Sequence, residues 1–140
     1  MIFFMARSFS KYTQGWFSRG DDDLKTVEGL LAMEGIPNVI CFHAQQAGEK
    51  YLKGFLAYHE KHIRKIHDLE ALLELCLGID EAFSVLRNEA GTLSAMYTES
   101  RYPDDYVDFK KEDAQEAFVA ACRVKDFVLE RIQAKASENP

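Results

Sequence analysis

Ile40-Cys41-Phe42-His43-Ala44-Gln45-Gln46-Ala47-Gly48-Glu49-Lys50-Tyr51-Leu52-Lys53-Gly54-Phe55-Leu56-Ala57-Tyr58 carries the period that decides the fold. Ile40, Ala44, Ala47, Tyr51, Phe55 and Tyr58 recur at three and four residues, the spacing that lines one face of an α-helix. Just upstream, Gly35-Ile36-Pro37 ends one helix and restarts the chain in another. Before it, Tyr12, Trp16, Gly20, Leu24, Val27 and Leu31 repeat the pattern. They predict a long helix from Lys11 to Met33 with Asp21, Asp22 and Asp23 on its solvated face, or a shorter one capped by Asp21.

Downstream, Asp68 is placed to start a short helix with Leu69, Leu72, Leu73 and Cys76 inward, and Gly78 ends it. Phe83, Leu86, Ala90, Leu93 and Tyr97 mark a fourth helix, and Ala114, Phe118, Ala121, Val128 and Ile132 a fifth. No window alternates apolar and polar residues in the manner of a strand. The expectation is an all-α protein, an antiparallel up-and-down bundle of four main helices plus one short helix. Residues 1–140 form a single domain in this reading, with a core over about 10–133 and a frayed tail over 134–140.

A net charge of −6 argues against broad electrostatic binding to nucleic acid, although local basic stripes remain compatible with it. Cys41, Cys76 and Cys122 are dispersed and lie among apolar residues, which suggests reduced thiols in a cytoplasmic protein. The apolar start Met1-Ile2-Phe3-Phe4-Met5 gives way to Arg7, too soon for a signal core or membrane span. A soluble, cytoplasmic protein with no membrane association is expected.

Two polar constellations invite a chemical reading. His43, Gln46, Lys50 and Lys53 recur at three, four and three residues and therefore share a helix face. Two amines, an amide and an imidazole suit a phosphate-bearing partner; the same stripe also fits a plain solvated face. Tyr97-Thr98-Glu99-Ser100-Arg101-Tyr102-Pro103-Asp104 places a cation and two phenols where Pro103 stops a helix. That segment suits an anionic or aromatic ligand, or a surface loop in which Arg101 pairs with Asp104 or Asp105. His59, His62 and His67 lack a metal-ligand pattern, so no metal and no cofactor are expected. His67, next to the helix-starting Asp68, is a candidate for the polar end of the bundle.

The run Cys41 to Lys53 resembles the "FHAQQAxEKxLK" signature of HEPN domains. His67-Asp68-Leu69 resembles that family's "HDL", and Tyr97 to Asp104 resembles its "YxxxRYPD". The three motifs stand in the family's order over roughly residues 10 to 133. The resemblance favours the long first helix, because family members carry acidic, Asp-Leu-containing segments inside it. It implies an all-α bundle that forms a homodimer, encoded beside a minimal nucleotidyltransferase and binding a nucleotide or RNA, often as a toxin–antitoxin pair. His43, Gln46, Lys50, Lys53, His67, Tyr97, Arg101, Tyr102 and Asp104 are the ligand-binding candidates under this resemblance.

Many HEPN toxins are metal-independent ribonucleases with an arginine followed a few residues later by a histidine. Here only two residues separate Arg64 from His67, and no histidine follows Arg87, Arg101, Arg123 or Arg131. The expectation is therefore a nucleotide-binding and partner-docking subunit of a nucleotidyltransferase/HEPN pair, without enzymatic activity of its own. Two alternatives stand beside it: a ribonuclease toxin with a relocated acid–base pair, His67 and Arg101, and a purely structural dimerisation module.

Overall fold

In a computed structural model, described over residues 9–63, 65–96 and 107–138, the chain is all-α. Tyr97, Arg101, Tyr102 and Asp104, with Arg64, lie outside the described residues.

Helix α1 spans Lys11–Ala32, and the Ser10 hydroxyl accepts from the Thr13 N–H at its start. All three acids of Asp21-Asp22-Asp23 lie inside it, as the long-helix reading requires. It closes with the Glu34 N–H donating to Leu31 O at 3.2 Å and the Gly35 N–H to Leu30 O at 2.7 Å. Glu34, with φ of 53°, is the left-handed residue of this stop, a position that glycine usually fills. Gly35 serves instead to let Leu30 approach: a Cβ there would lie 3.1 Å from Leu30 O.

Helix α2, Pro37–Tyr58, begins with proline in its first turn, where the missing N–H costs nothing. Helix α3 is Leu69–Leu77, with Asp68 accepting from the Glu70 N–H. The predicted fourth helix is divided. Glu81–Leu86 is a 3-10 helix capped by Asp80, and only Arg87–Ser94 is α-helical, forming α4. Helix α5 runs Lys111–Glu138, so residues 134–138 of the segment expected to fray are helical, while 139 and 140 lie outside the described residues.

Helix α2 is the centre of the bundle and packs against all four other α-helices among the described residues. Helices α1 and α2 are antiparallel, as Phe9 with Tyr58, Phe17 with Tyr51 and Asp23 with His43 show. Pairs α3/α4 and α4/α5 are antiparallel too, the first through Glu74 with Arg87 and Asp68 with Ser94, the second through Glu89 with Arg123 and, upstream of α4, Asp80 with Arg131. The connection between Tyr58 and Leu69 returns the chain, so that α3 runs in the direction of α2: Gly48 abuts Leu69, and Leu52 O lies by Cys76. This return carries His67 back beside the middle of α2.

Because α2 is enclosed, it buries Gln45, Glu49 and Lys53 as well as its apolar face. In α1 Gly20, Leu24 and Val27 are buried as predicted, but in the first turns the buried positions shift by one. Thr13 and Phe17 face the core, whereas Tyr12 and Trp16 are not fully buried. The cause is Gly54, where a Cβ would lie 2.3 Å from Phe17 Cε1; the missing side chain makes room for that ring. No helix among the described residues is long and apolar enough to cross a membrane.

Candidate functional site

The polar residues of α2 gather around two carboxylates rather than forming one open stripe. At the α1/α2 contact, Asp23 Oδ1 lies 3.0 Å from His43 Nδ1, and Asp23 Oδ2 accepts from Lys50 Nζ at 2.5 Å. Asp23 is buried, not on a wet face. Its neighbour Asp21 accepts from the Tyr51 hydroxyl and pairs with Lys125 Nζ at 2.9 Å. Burial, then the Asp21 hydrogen bond and charge, push the Tyr51 phenol far up, so it stays protonated.

The second centre lies at the junction of α2 with the return segment. Glu49 Oε2 accepts from Lys53 Nζ at 2.8 Å and lies 3.0 Å from His67 Nδ1. The Lys53 and Glu49 side chains are 2% and 5% exposed, whereas His67 is 49% exposed. Gln45 donates to the His67 carbonyl at 3.3 Å and accepts from Gln46 Nε2 at 2.8 Å. Imidazole and backbone of His67 are thus both tied to α2. Among the described residues, Glu49 Oε1 is buried with no hydrogen-bond partner. Burying a carboxylate with one oxygen unsatisfied is costly, so the site is held in place by the packing around it.

His43 and Lys50 lie on a partly exposed face with Gln46, as expected, but Lys53 is sunk into the bundle. Lys50 and Lys53 each carry a carboxylate partner. Neither is the open phosphate-binding cation that spacing alone suggested. The structure brings Lys53 to His67 through Glu49, gathers His43 and Lys50 at Asp23, and links Gln46 to Gln45. Sequence reasoning missed Asp23, Gln45 and Glu49. The available signal was Gln45, Glu49 and Lys53 at spacings of four, a polar ridge inside a helix otherwise apolar on that side.

Among the remaining histidines, His59 packs on Phe55 at 4.7 Å and His62 on Tyr12 at 4.6 Å. Among the described residues no group of three or more His, Cys, Asp or Glu side chains is placed to hold a metal ion. Burial pushes the Cys41 and Cys76 thiols up to about 11 and about 12 respectively, which leaves both unreactive at neutral pH.

Chemically, the second centre presents a half-exposed imidazole oriented by a buried, charge-balanced carboxylate. Such a group can donate to or accept from a ligand, or move a proton.

A family model described as "HEPN domain" matches residues 13–132. The chain resembles the crystal structure of ST0689, an archaeal HEPN homologue, at 26% identity and a TM-score of 0.70, over 86% of this chain and 97% of that one. It also resembles TT1696 from Thermus thermophilus at 25% identity and a TM-score of 0.70, over 86% of this chain and 98% of that one. No curated protein matches the chain.

Proposed function

The chain belongs to the HEPN family, and from that premise we propose that it is the nucleotide-binding, partner-docking member of a nucleotidyltransferase/HEPN pair of the toxin–antitoxin type, acting in the cytoplasm. The observation that carries the reading is His67, half-exposed and held at Nδ1 by buried Glu49, which is itself balanced by buried Lys53. In this reading His67 contacts the nucleotide, while Lys53 and Glu49 position it. Arg101 supplies the phosphate contact and Tyr97 or Tyr102 the ring for the base, with Asp104 bracing the segment. Lys50 and His43 are supporting residues, because Asp23 takes up their donors. The exposed Val39 and Phe42 on α2, with Ile36 just before that helix and Met33 just after α1, support docking of a second copy or of the nucleotidyltransferase.

Calorimetric titration of ATP, GTP and AMP into the protein, His67→Ala and Arg101→Ala tests this. Binding by the native chain that both substitutions abolish, with helicity unchanged, is the expected result. Equal binding by all three proteins removes the site assignment, and absence of heat from every nucleotide removes the nucleotide reading for the isolated chain. The carboxylate–imidazole arrangement also favours a second reading, a metal-independent ribonuclease with His67 as general base. RNA cleavage that survives chelator and vanishes in His67→Ala would establish it; intact RNA would end it.

A further inference from the structure

Helix α1 carries a polar and aromatic surface that this site does not use. Lys11, Tyr12, Gly15, Trp16 and Arg19 line an open cavity of about 420 Å³. Two adjacent ridges build it. Lys11, Gly15 and Arg19 follow one another at spacings of four, and Tyr12 and Trp16 do the same beside them, so the ridges read cation–gap–cation and aromatic–aromatic.

No Asp or Glu precedes Asp21 in the sequence, which leaves this end of α1 basic in a protein of net charge −6. Lys11 and Arg19 are exposed, and neither has a carboxylate partner among the described residues. Lys50, Lys53 and Lys125, by contrast, are all ion-paired.

Trp16 is held as a platform. The Tyr12 ring stands edge-on to it at 6.0 Å, and Lys53 Nζ lies 5.4 Å from its ring centroid. Phe17 fills the core position next to it, so the partly exposed indole is not needed there. Among the described residues, a Cβ on Gly15 would meet nothing within 4 Å. Packing therefore does not demand glycine, and its effect is to leave the cavity open.

We propose that this face of α1 binds single-stranded nucleic acid, with one base stacked on Trp16 and backbone phosphates on Lys11 and Arg19. The cations are about 12 Å apart along the helix axis, wider than one phosphate group bridges, so the ligand carries at least two phosphates with a base between them. Aromatic stacking with flanking cations is the general means of holding single strands. A duplex would bring its wide phosphate surface against an acidic protein, and an acidic peptide offers the indole no ring. Lys53 touches Trp16 and is bonded to Glu49, which holds His67, so a strand across Trp16 approaches the nucleotide site. The choice of ligand class rests on the nucleotide-binding reading; the residues do not.

Trp16 is the only tryptophan in the chain, so its emission reports this surface alone. A short oligoadenylate is titrated against the native protein, Gly15→Leu, the double variant Lys11→Glu/Arg19→Glu, and His67→Ala. Oligoadenylate is expected to quench Trp16, with affinity falling about sevenfold between about 50 and 200 mM salt, the loss for two phosphate contacts to a single strand. Gly15→Leu, which blocks the cavity without changing charge, and the double variant abolish the quenching and leave AMP heat intact; His67→Ala does the reverse. Unchanged emission beside normal AMP binding overturns this inference and keeps the nucleotide reading. Oligoadenylate quenching without AMP heat keeps the inference and removes that reading. Equal quenching by polyglutamate also overturns the inference and assigns the surface to acidic polypeptides.

Discussion

Glu49 and Lys53 form an ion pair one helical turn apart, with side chains 5% and 2% exposed. Two charges removed from water depend strongly on their partners, so removing one partner is far more damaging than removing both. Glu49→Gln is expected to lower stability by about 3–5 kcal/mol, while Glu49→Gln combined with Lys53→Met recovers most of the loss. Urea unfolding midpoints of the two proteins check this; equal losses would mean that the pair is not what holds the centre together. The candidate residues His43, Gln46, Lys50, Lys53 and His67 were picked out in the sequence by their types, which suit an anion. Their neutralisation was not legible there. Asp23 precedes Lys50 by 27 residues, and only the α1/α2 crossing brings its carboxylate to that amine. His67 reaches Glu49 only because the chain returns along α2.

Single elements respond to glycine in opposite directions, according to what lies over them. Gly29 in α1 is exposed, and a Cβ there meets nothing within 4 Å, so Gly29→Ala should add about 0.5–1 kcal/mol through helix propensity alone. Gly54 in α2 faces Phe17, whose Cε1 would lie 2.3 Å from the new Cβ; Gly54→Ala should cost about 1–3 kcal/mol from overpacking. Thermal unfolding of both variants checks the pair, and a loss at Gly29 or a gain at Gly54 would refute the packing of α1 on α2. Two helix starts were legible from local chemistry: Pro37 removes and Asp68 satisfies an orphan N–H. The phase of the first turns of α1 was not, because Trp16 and Phe17 are both large apolar rings and the choice between them is made by Gly54 on another helix. The 3-10 segment was hidden for a similar reason. Phe83 and Leu86 are three residues apart, and that spacing fits a 3-10 turn as well as an α-helix.

At the scale of the whole molecule, the end of α2, the 3-10 helix and the last turns of α5 meet at one corner, and that corner sets the response to acid. Asp80 Oδ2 accepts from Arg131 Nε at 2.7 Å across 51 residues of chain. Burial pushes the Asp80 carboxyl up, but the Arg131 hydrogen bond, the Ala82 N–H and the charges of Arg131 and Lys135 outweigh it and hold it below its usual 3.8. Burial, then the charge of Lys135, hold His59 below its usual 6.5 against the opposing charge of Asp80. Lys135 lies in the stretch where the sequence suggested a frayed end; as part of α5 it acts on both groups. For each of them the unfolded chain binds more protons than the folded one, so stability rises with pH. His59 contributes stability that is present above about pH 6.5 and lost as pH falls through its folded value. Asp80 contributes stability that is present above about pH 4 and lost as pH falls further. Melting temperature followed from about pH 8 to pH 3 should therefore decline in two stages. His59→Gln should remove the upper stage and leave the lower, whereas Asp80→Asn should lower stability at neutral pH and flatten the lower stage. A profile of His59→Gln that still falls between about pH 7 and 5 would place the upper titration on another group, and the other histidines would have to be examined one by one.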